Sequence, residues 1–201
     1  MVSVYDVKPR FQALLRPLTN SLARSGVTAN QVTIAAVLLS FAVGAAVALF
    51  RESPRILMLL PAALFVRMAL NAIDGMLARE HGQQSKRGAI LNELGDVFSD
   101  AALYLPLAIV PGFCPYLTVG IVVLAVISEM AGVVAIQIGA SRRYDGPMGK
   151  SDRAFVLGTI ALVIGAGVPA GRWLDLLLSL VVLLLFVTIV NRALKALREA
   201  A

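Results

Sequence analysis

An all-α integral membrane protein, with six transmembrane helices preceded by an N-terminal interfacial amphipathic helix, is the fold class predicted for this chain of 201 residues. Three observations lead there. Apolar residues make up 59% of the chain and mean hydropathy is +0.84, whereas a soluble domain is about half apolar. They fall in continuous runs, 31–50, 56–79, 89–110, 117–140, 154–170 and 173–191, suited to a hydrocarbon core of about 30 Å at about 1.5 Å per residue. Continuous rather than alternating runs exclude a strand barrel. Basic residues also gather on one side of the runs: Lys8 to Arg24, Arg79 to Arg87, Arg142 to Arg153 and Arg192 to Arg198, against Arg51, Arg55 and Arg172 on the other. Both termini are therefore expected in the cytoplasm.

Residues 1–27 are the interfacial helix. Phe11, Leu14, Leu15, Leu18 and Leu22 recur at helical spacing opposite Arg10, Arg16 and Arg24, which suits a helix lying along the cytoplasmic leaflet. No short apolar core with a small-residue cleavage site marks a signal peptide. Pro17 predicts a kink or two short pieces. Residues 28–201 form the six-helix bundle, and 1–201 reads as a single domain, without internal repeat or long linker. The hydrophilic loop 80–88 is short, so the second and third spans are antiparallel neighbours. His81 in that loop reads as solvated. The single cysteine, Cys114, lies near the outer end of the third span and has no partner for an internal disulfide.

The net charge of +6 is accounted for by the positive-inside bias and attraction to anionic lipid. No basic stripe with interleaved aromatics points to nucleic acid.

Polar residues inside the second and third runs carry the functional signal, because ionisable groups at membrane depth cost at least a few kcal/mol unless paired, hydrated or bound to a cation. At about 100° per residue, Arg67, Asn71, Asp74 and Ala78 share one helix face. Asn92, Asp96 and Asp100 follow on successive turns of the next helix, with Glu93 offset from them. Asn71, Asp74, Asn92 and Asp96 would converge near the cytoplasmic end as an oxygen-only set. Such a set suits a hard divalent cation, Mg²⁺ or Mn²⁺, rather than zinc or copper. The small residues Gly75, Ala78 and Gly88 beside it admit either a substrate or a neighbouring helix. Arg67 and Glu129 lie about 18 Å deep and are expected to pair.

Asp74-Gly75-x-x-Ala78-Arg79, then eight residues, then Gly88-x-x-x-Asn92-x-x-x-Asp96 resembles the signature of the CDP-alcohol phosphotransferases, D-x-x-D-G-x-x-A-R, eight residues, G-x-x-x-D-x-x-x-D. Thr28-Ala29-Asn30-Gln31-Val32-Thr33 is similar to the P-N-x-x-T that opens the family's first span. Asn71 and Asn92 stand where the first and third aspartates are expected, a pattern that resembles a bacterial subfamily.

The resemblance implies transfer of a phosphatidyl group from a CDP-linked donor such as CDP-diacylglycerol to an alcohol acceptor, releasing CMP, in phospholipid biosynthesis. It implies a two-metal site of Mg²⁺ or Mn²⁺ held by Asp74 and Asp96, with Asn71 and Asn92 as neutral oxygen ligands or donors to the ligands. Glu93 and Asp100 would restore charge to that set, Asp100 standing one turn beyond Asp96 on nearly the same face. It also implies Asp96 as the base that takes the acceptor proton, Asp100 being the alternative. Gly75, Ala78 and Gly88 would admit the cytidine and Arg79 would meet phosphate. Gly149-Lys150-x-x-Arg153 is similar to the family's basic pattern at the fifth span, so Lys150 and Arg153 would contact phosphate or acceptor, although positive-inside charge also accounts for them. The expected setting is a bacterial inner membrane, with the site at the cytoplasmic face and a homodimer as the assembly. The neutral asparagines motivate a second reading, a catalytically silent CDP-lipid binder. A small transporter is a third, since intramembrane charges also line translocation paths.

Overall fold

The computed structural model describes residues Val4 to Ala201, and among these there is no strand. Seven α-helices follow one another: α1 (Val4–Arg24), α2 (Ala29–Leu49), α3 (Leu59–Glu80), α4 (Lys86–Tyr104), α5 (Pro115–Val134), α6 (Lys150–Gly165) and α7 (Arg172–Ala200). Tight 3₁₀ turns at Pro54–Met58, Leu105–Ile109 and Ala135–Ile138 precede α3 and follow α4 and α5.

Four helical runs, Ala29–Leu49, Pro54–Glu80, Pro115–Ile138 and Arg172–Ala200, are long and apolar enough to cross a membrane. The other two expected spans coincide with α4 and α6. Three acids interrupt α4, namely Glu93, Asp96 and Asp100, and α6 has 16 residues, or about 24 Å of helix.

α1 is one helix containing both Pro9 and Pro17, so the division into two pieces expected at Pro17 does not occur. A proline leaves the carbonyl four residues earlier without its helical partner. Here that residue is Ala13, which is exposed, so water can serve its carbonyl.

The chain divides into two compact units. The first joins the residues up to Ala42 to Ala63–Ser99. Its core is Ala29, Val32, Ile73, Met76 and Leu77, against which Leu15, Leu22 and Ala23 of α1 pack. α2 begins with a reciprocal cap: the Thr28 N–H donates to Gln31 Oε1 at 2.9 Å and the Gln31 N–H to Thr28 Oγ1 at 3.3 Å. Gln83, in the loop after α3, accepts from the Ala29 N–H at 2.6 Å and donates to the Val27 carbonyl. The same loop region holds α1 through Arg16 to Glu80, at 2.9 Å, and through His81 to Asn20. Leu14 and Leu18 remain exposed on α1.

The second unit joins Val43–Ala62 to Asp100–Ala201. α5 packs on α7, α6 on the Pro54–Met58 turn, and the Leu105–Ile109 turn on α5. Gly44 shows why a small residue is needed: a Cβ there would lie 2.0 Å from the Ala102 carbonyl oxygen. Pro115 opens α5 in the first turn, where its missing N–H costs nothing.

Candidate active site

In the first unit, α3 carries Arg67, Asn71, Asp74, Gly75, Ala78 and Arg79, and α4 carries Gly88, Asn92, Glu93 and Asp96. Asp96 is the point of convergence. Arg67, 4% exposed, donates through Nη2 to Asp96 Oδ1 at 3.2 Å and to its backbone oxygen at 3.1 Å. Asn71 turns its amide nitrogen to the same Oδ1 at 3.2 Å. The Asp96 side chain stays 19% exposed. Asp74 is buried, and Thr33 Oγ1 on α2 lies 2.8 Å from its Oδ2 and 3.1 Å from the Ala29 carbonyl. Asn92 is exposed and Glu93 half-buried.

The small residues have identifiable neighbours. A Cβ on Gly75 would lie 3.0 Å from Arg79 Nη2, so the arginine folds back over its own helix. A Cβ on Gly88 would lie 2.8 Å from Asn30 Oδ1, and one on Gly95 would lie 3.1 Å from Val37. Both glycines therefore let α4 approach α2, which is the packing role that small residues commonly have between membrane helices. Ala78 packs on the Met76 and Leu77 core.

Among the described residues, no three His, Cys, Asp or Glu side chains come together to hold a metal. Asn71 and Asn92 put amides at two positions where carboxylates are expected. The donors of the stripe are oxygen and amide, which fits a hard divalent ion by type.

Asp100, Lys150 and Arg153 belong to the second unit. Asp100 is buried, and Arg153, 1% exposed, donates to its Oδ2 from Nη2 at 2.8 Å. The same guanidinium reaches Glu129 Oε1 at 3.1 Å, Ser128 Oγ at 3.4 Å and the Met148 carbonyl at 3.3 Å. Glu129 also receives Arg142 at 3.2 Å and Arg192 at 3.3 Å. Arg67 and Glu129, the two deep charges, thus each have counter-charges within their own unit. Asp100, weighed beside Asp96 as a base, has the geometry of one half of a buried ion pair. Lys150 is the first residue of α6 and half-buried.

Asp145-Gly146-Pro147 reads in the sequence as a turn signal. The turn is docked on α7. Gly146 has φ +118° and a Cβ there would lie 2.6 Å from Thr188, so both backbone strain and space exclude a side chain. Thr188 Oγ1 accepts from the Met148 N–H at 2.9 Å. Asp145 is paired with Lys195 and Arg143, each at 2.7 Å. These partners hold its carboxyl below the usual range, Lys195 contributing most, with partial burial opposing.

Two further residues were missed. Arg192, read only as a topological charge, is 1% exposed, donates to the Ser128 carbonyl and reaches the Asp145 carbonyl at 3.2 Å. Its available signal was Asn191-Arg192 following a long apolar run. Thr33 had no assigned role, and four residues separate it from the capped start of α2.

The profile of the CDP-alcohol phosphatidyltransferase family matches residues 26–194. Inner membrane protein YnbA of Escherichia coli K12 is 44% identical over 191 residues, covering 95% of this chain and 94% of that protein. Among solved structures, the phosphatidylinositol phosphate synthase of Mycobacterium tuberculosis in complex with manganese and citrate has a TM-score of 0.74 at 23% identity, over 90% of this chain and 88% of that one. The same synthase with CDP-DAG bound also gives 0.74 at 23% identity, over 92% of each chain. At that identity the likeness establishes the fold. With most of its length matched by the family profile, the chain belongs to the CDP-alcohol phosphatidyltransferases, enzymes that transfer a phosphatidyl group from a CDP-linked lipid to an alcohol.

Proposed function

We propose that this chain works as a Mg²⁺- or Mn²⁺-dependent phosphatidyltransferase at the cytoplasmic face of a bacterial inner membrane, taking CDP-diacylglycerol as donor. The observation that carries this reading is the Asp74 and Asp96 stripe at family spacing, with Asp96 partly open and oriented by Arg67 and Asn71. Six spans suit it, with α4 continued by the apolar Leu105–Ile109 turn and α6 crossing as a short helix. The family match runs through both units, which supports one functional domain over 1–201, and a homodimer is the assembly to test.

In the transfer, the acceptor oxygen bonds to the phosphorus that carries the lipid. The bond from that phosphorus to the bridging oxygen breaks, CMP leaves with the electron pair, and the hydroxyl proton passes to Asp96. A divalent ion held by Asp74 and Asp96, with Asn71 and Asn92 beside it, would supply neutralisation of the pyrophosphate charge. Asp100 serves the fold through Arg153, while Lys150 and Arg79 remain candidates for phosphate; Gly88 and Ala78 serve helix packing, and at Gly75 the Arg79 guanidinium occupies the space a side chain would take.

The test is CMP release from CDP-diacylglycerol by purified protein with a pool of alcohols. Release should stop on chelation and fall about 100-fold or more in Asp96→Asn. Release that ignores chelator would reject the metal-dependent mechanism. One observation favours a silent donor-binding relative, the neutral amides of Asn71 and Asn92. Metal-dependent donor binding without CMP release, whatever the alcohol, would establish that reading instead.

A further inference from the structure

The resemblance assigns Arg153 to phosphate or acceptor, and the structure spends it otherwise. A guanidinium has five N–H groups, and in Arg153 each has an acceptor within the second unit. Nε and Nη2 reach Asp100 Oδ2 at 3.3 and 2.8 Å, and Nη2 also reaches Glu129 Oε1 at 3.1 Å. Nη1 reaches Ser128 Oγ at 3.4 Å and the Met148 carbonyl at 3.3 Å. No N–H of Arg153 is left over for a ligand. Arg192 is pinned by backbone, its Nε donating to the Asp145 carbonyl and its Nη1 to the Ser128 carbonyl.

Glu129 sits among these cations as a bound anion would. Its Oε1 lies 3.1 Å from Arg153, and its Oε2 lies 3.2 Å from Arg142 and 3.3 Å from Arg192. A phosphate presents its oxygens to guanidinium groups in the same way. Being tethered, the carboxylate meets them without the loss of freedom that a free anion suffers on binding. Its side chain is 12% exposed, against 1% for Arg153 and 2% for Arg192. An anion arriving from outside therefore meets a like charge before it meets either of those arginines.

Taking the transferase reading as its basis, we propose that Glu129 is a specificity-determining residue: it fills the arginine cluster as a built-in anion, and the acceptor is an alcohol that carries no phosphate. Position along α4 ties the cluster to the acceptor. Asp100, held by Arg153, stands one turn beyond the proposed base Asp96, about 6 Å along the helix. A phosphate on the acceptor could use the cluster only by displacing Glu129 or by lying beside it. The first leaves a carboxylate without its cations, and the second puts like charges together; both select against the phosphate. Neutral hydroxyls face neither cost.

The experiment offers alcohols in pairs that differ by a phosphate: glycerol with glycerol 3-phosphate, inositol with inositol 1-phosphate, and monoacylglycerol with lysophosphatidic acid. CMP release from CDP-diacylglycerol by the full-length protein in detergent with Mg²⁺ is measured for each. In the pair that works, the unphosphorylated member should exceed its partner about 100-fold or more in kcat/KM. Glu129→Gln keeps the shape and removes the charge. It should raise kcat/KM for the phosphorylated member about tenfold, mainly through a lower KM. Equal use of both members by the unaltered chain, or preference for the phosphorylated one, would overturn the inference and leave the transferase reading standing. A folded Glu129→Gln that gains nothing would reject Glu129 as the determinant.

A second readout needs no turnover. Metal-free protein is titrated calorimetrically with glycerol 3-phosphate and with inorganic phosphate. The unaltered chain should show no saturable binding at millimolar concentration, and Glu129→Gln should bind. Saturable binding by the unaltered chain would overturn the inference whether or not the variant folds. The expected binding pattern with no CMP release from any pair would uphold Glu129 as the built-in anion and reject the transferase reading.

Discussion

One guanidinium, that of Arg153, joins Asp100 on α4 to Glu129 and Ser128 on α5 and to the Met148 carbonyl before α6. Burying it is tolerable because its charge is met on two sides; a buried charge left without its partner costs about 3–5 kcal/mol. Arg153→Met should lower stability by up to about that amount, since Asp100 loses the guanidinium 2.8 Å from its Oδ2 while Glu129 keeps Arg142 and Arg192. Thermal unfolding in detergent checks this, and adding Asp100→Leu should recover part of the loss. A fully stable single variant would show that Asp100 is neutralised otherwise. At this scale the sequence announced Asp74, Asp96 and Asp100, because charges stand out in apolar helices. It did not announce that Arg153 would be used internally, because positive-inside residues and buried ones are chemically the same.

At the scale of elements, the segment between α5 and α6 is fastened to α7 by polar contacts rather than by apolar packing alone. Ser141 donates to Glu199, Met148 to Thr188, and Asp145 takes both Lys195 and Arg143. The Asp145 carboxyl is held below its ordinary value, so the folded loop binds the proton less readily than the unfolded chain does. Its contribution is complete above the ordinary carboxylate range, near about 4. It is lost as pH falls through the depressed value. Protection of the amides of residues 141–149 against hydrogen exchange, measured relative to the unstructured-chain rate at each pH, should therefore fall on acidification towards and below pH ~4. In Asp145→Asn protection should already be low at neutral pH and lose the part of that dependence that Asp145 carries; unaltered protection would mean that Thr188 and Glu199 fix the loop alone. Gly146 and Pro147 mark a turn in the sequence but say nothing of its docking, which depends on α7 residues forty or more positions away.

For the whole molecule, orientation is the property that function requires, since a cytoplasmic site needs α3 and α4 to meet at the inner face. The lone cysteine offers a direct test. Cys114, partly exposed at the start of α5, should react with a membrane-impermeant maleimide from outside the cell. A cysteine placed at Gln84 in a Cys114→Ser background should react only after the membrane is opened. The reverse pattern would invert the topology and put Asp74 and Asp96 on the wrong side for a CDP-linked donor. The all-helical, membrane-spanning character of the chain was readable at this scale from hydropathy, and four of the six expected runs meet the length and composition of a membrane helix. α4 and α6 fall short for opposite reasons, the first because its acids lower its hydropathy and the second because it is short.

What the sequence determined by itself was whatever depends on spacing along one helix: an all-helical membrane chain, the polar face Arg67, Asn71, Asp74 on α3, the matching series on α4, and the family signature that joins them. Helical periodicity fixes these before any helix meets another. Tertiary structure decided which charges meet. Arg67 is given to Asp96, Arg153 to Asp100 and Glu129, and Thr33 to Asp74, because pairing in a medium without water follows proximity between helices, and no residue's position in the chain states which neighbour its side chain will reach.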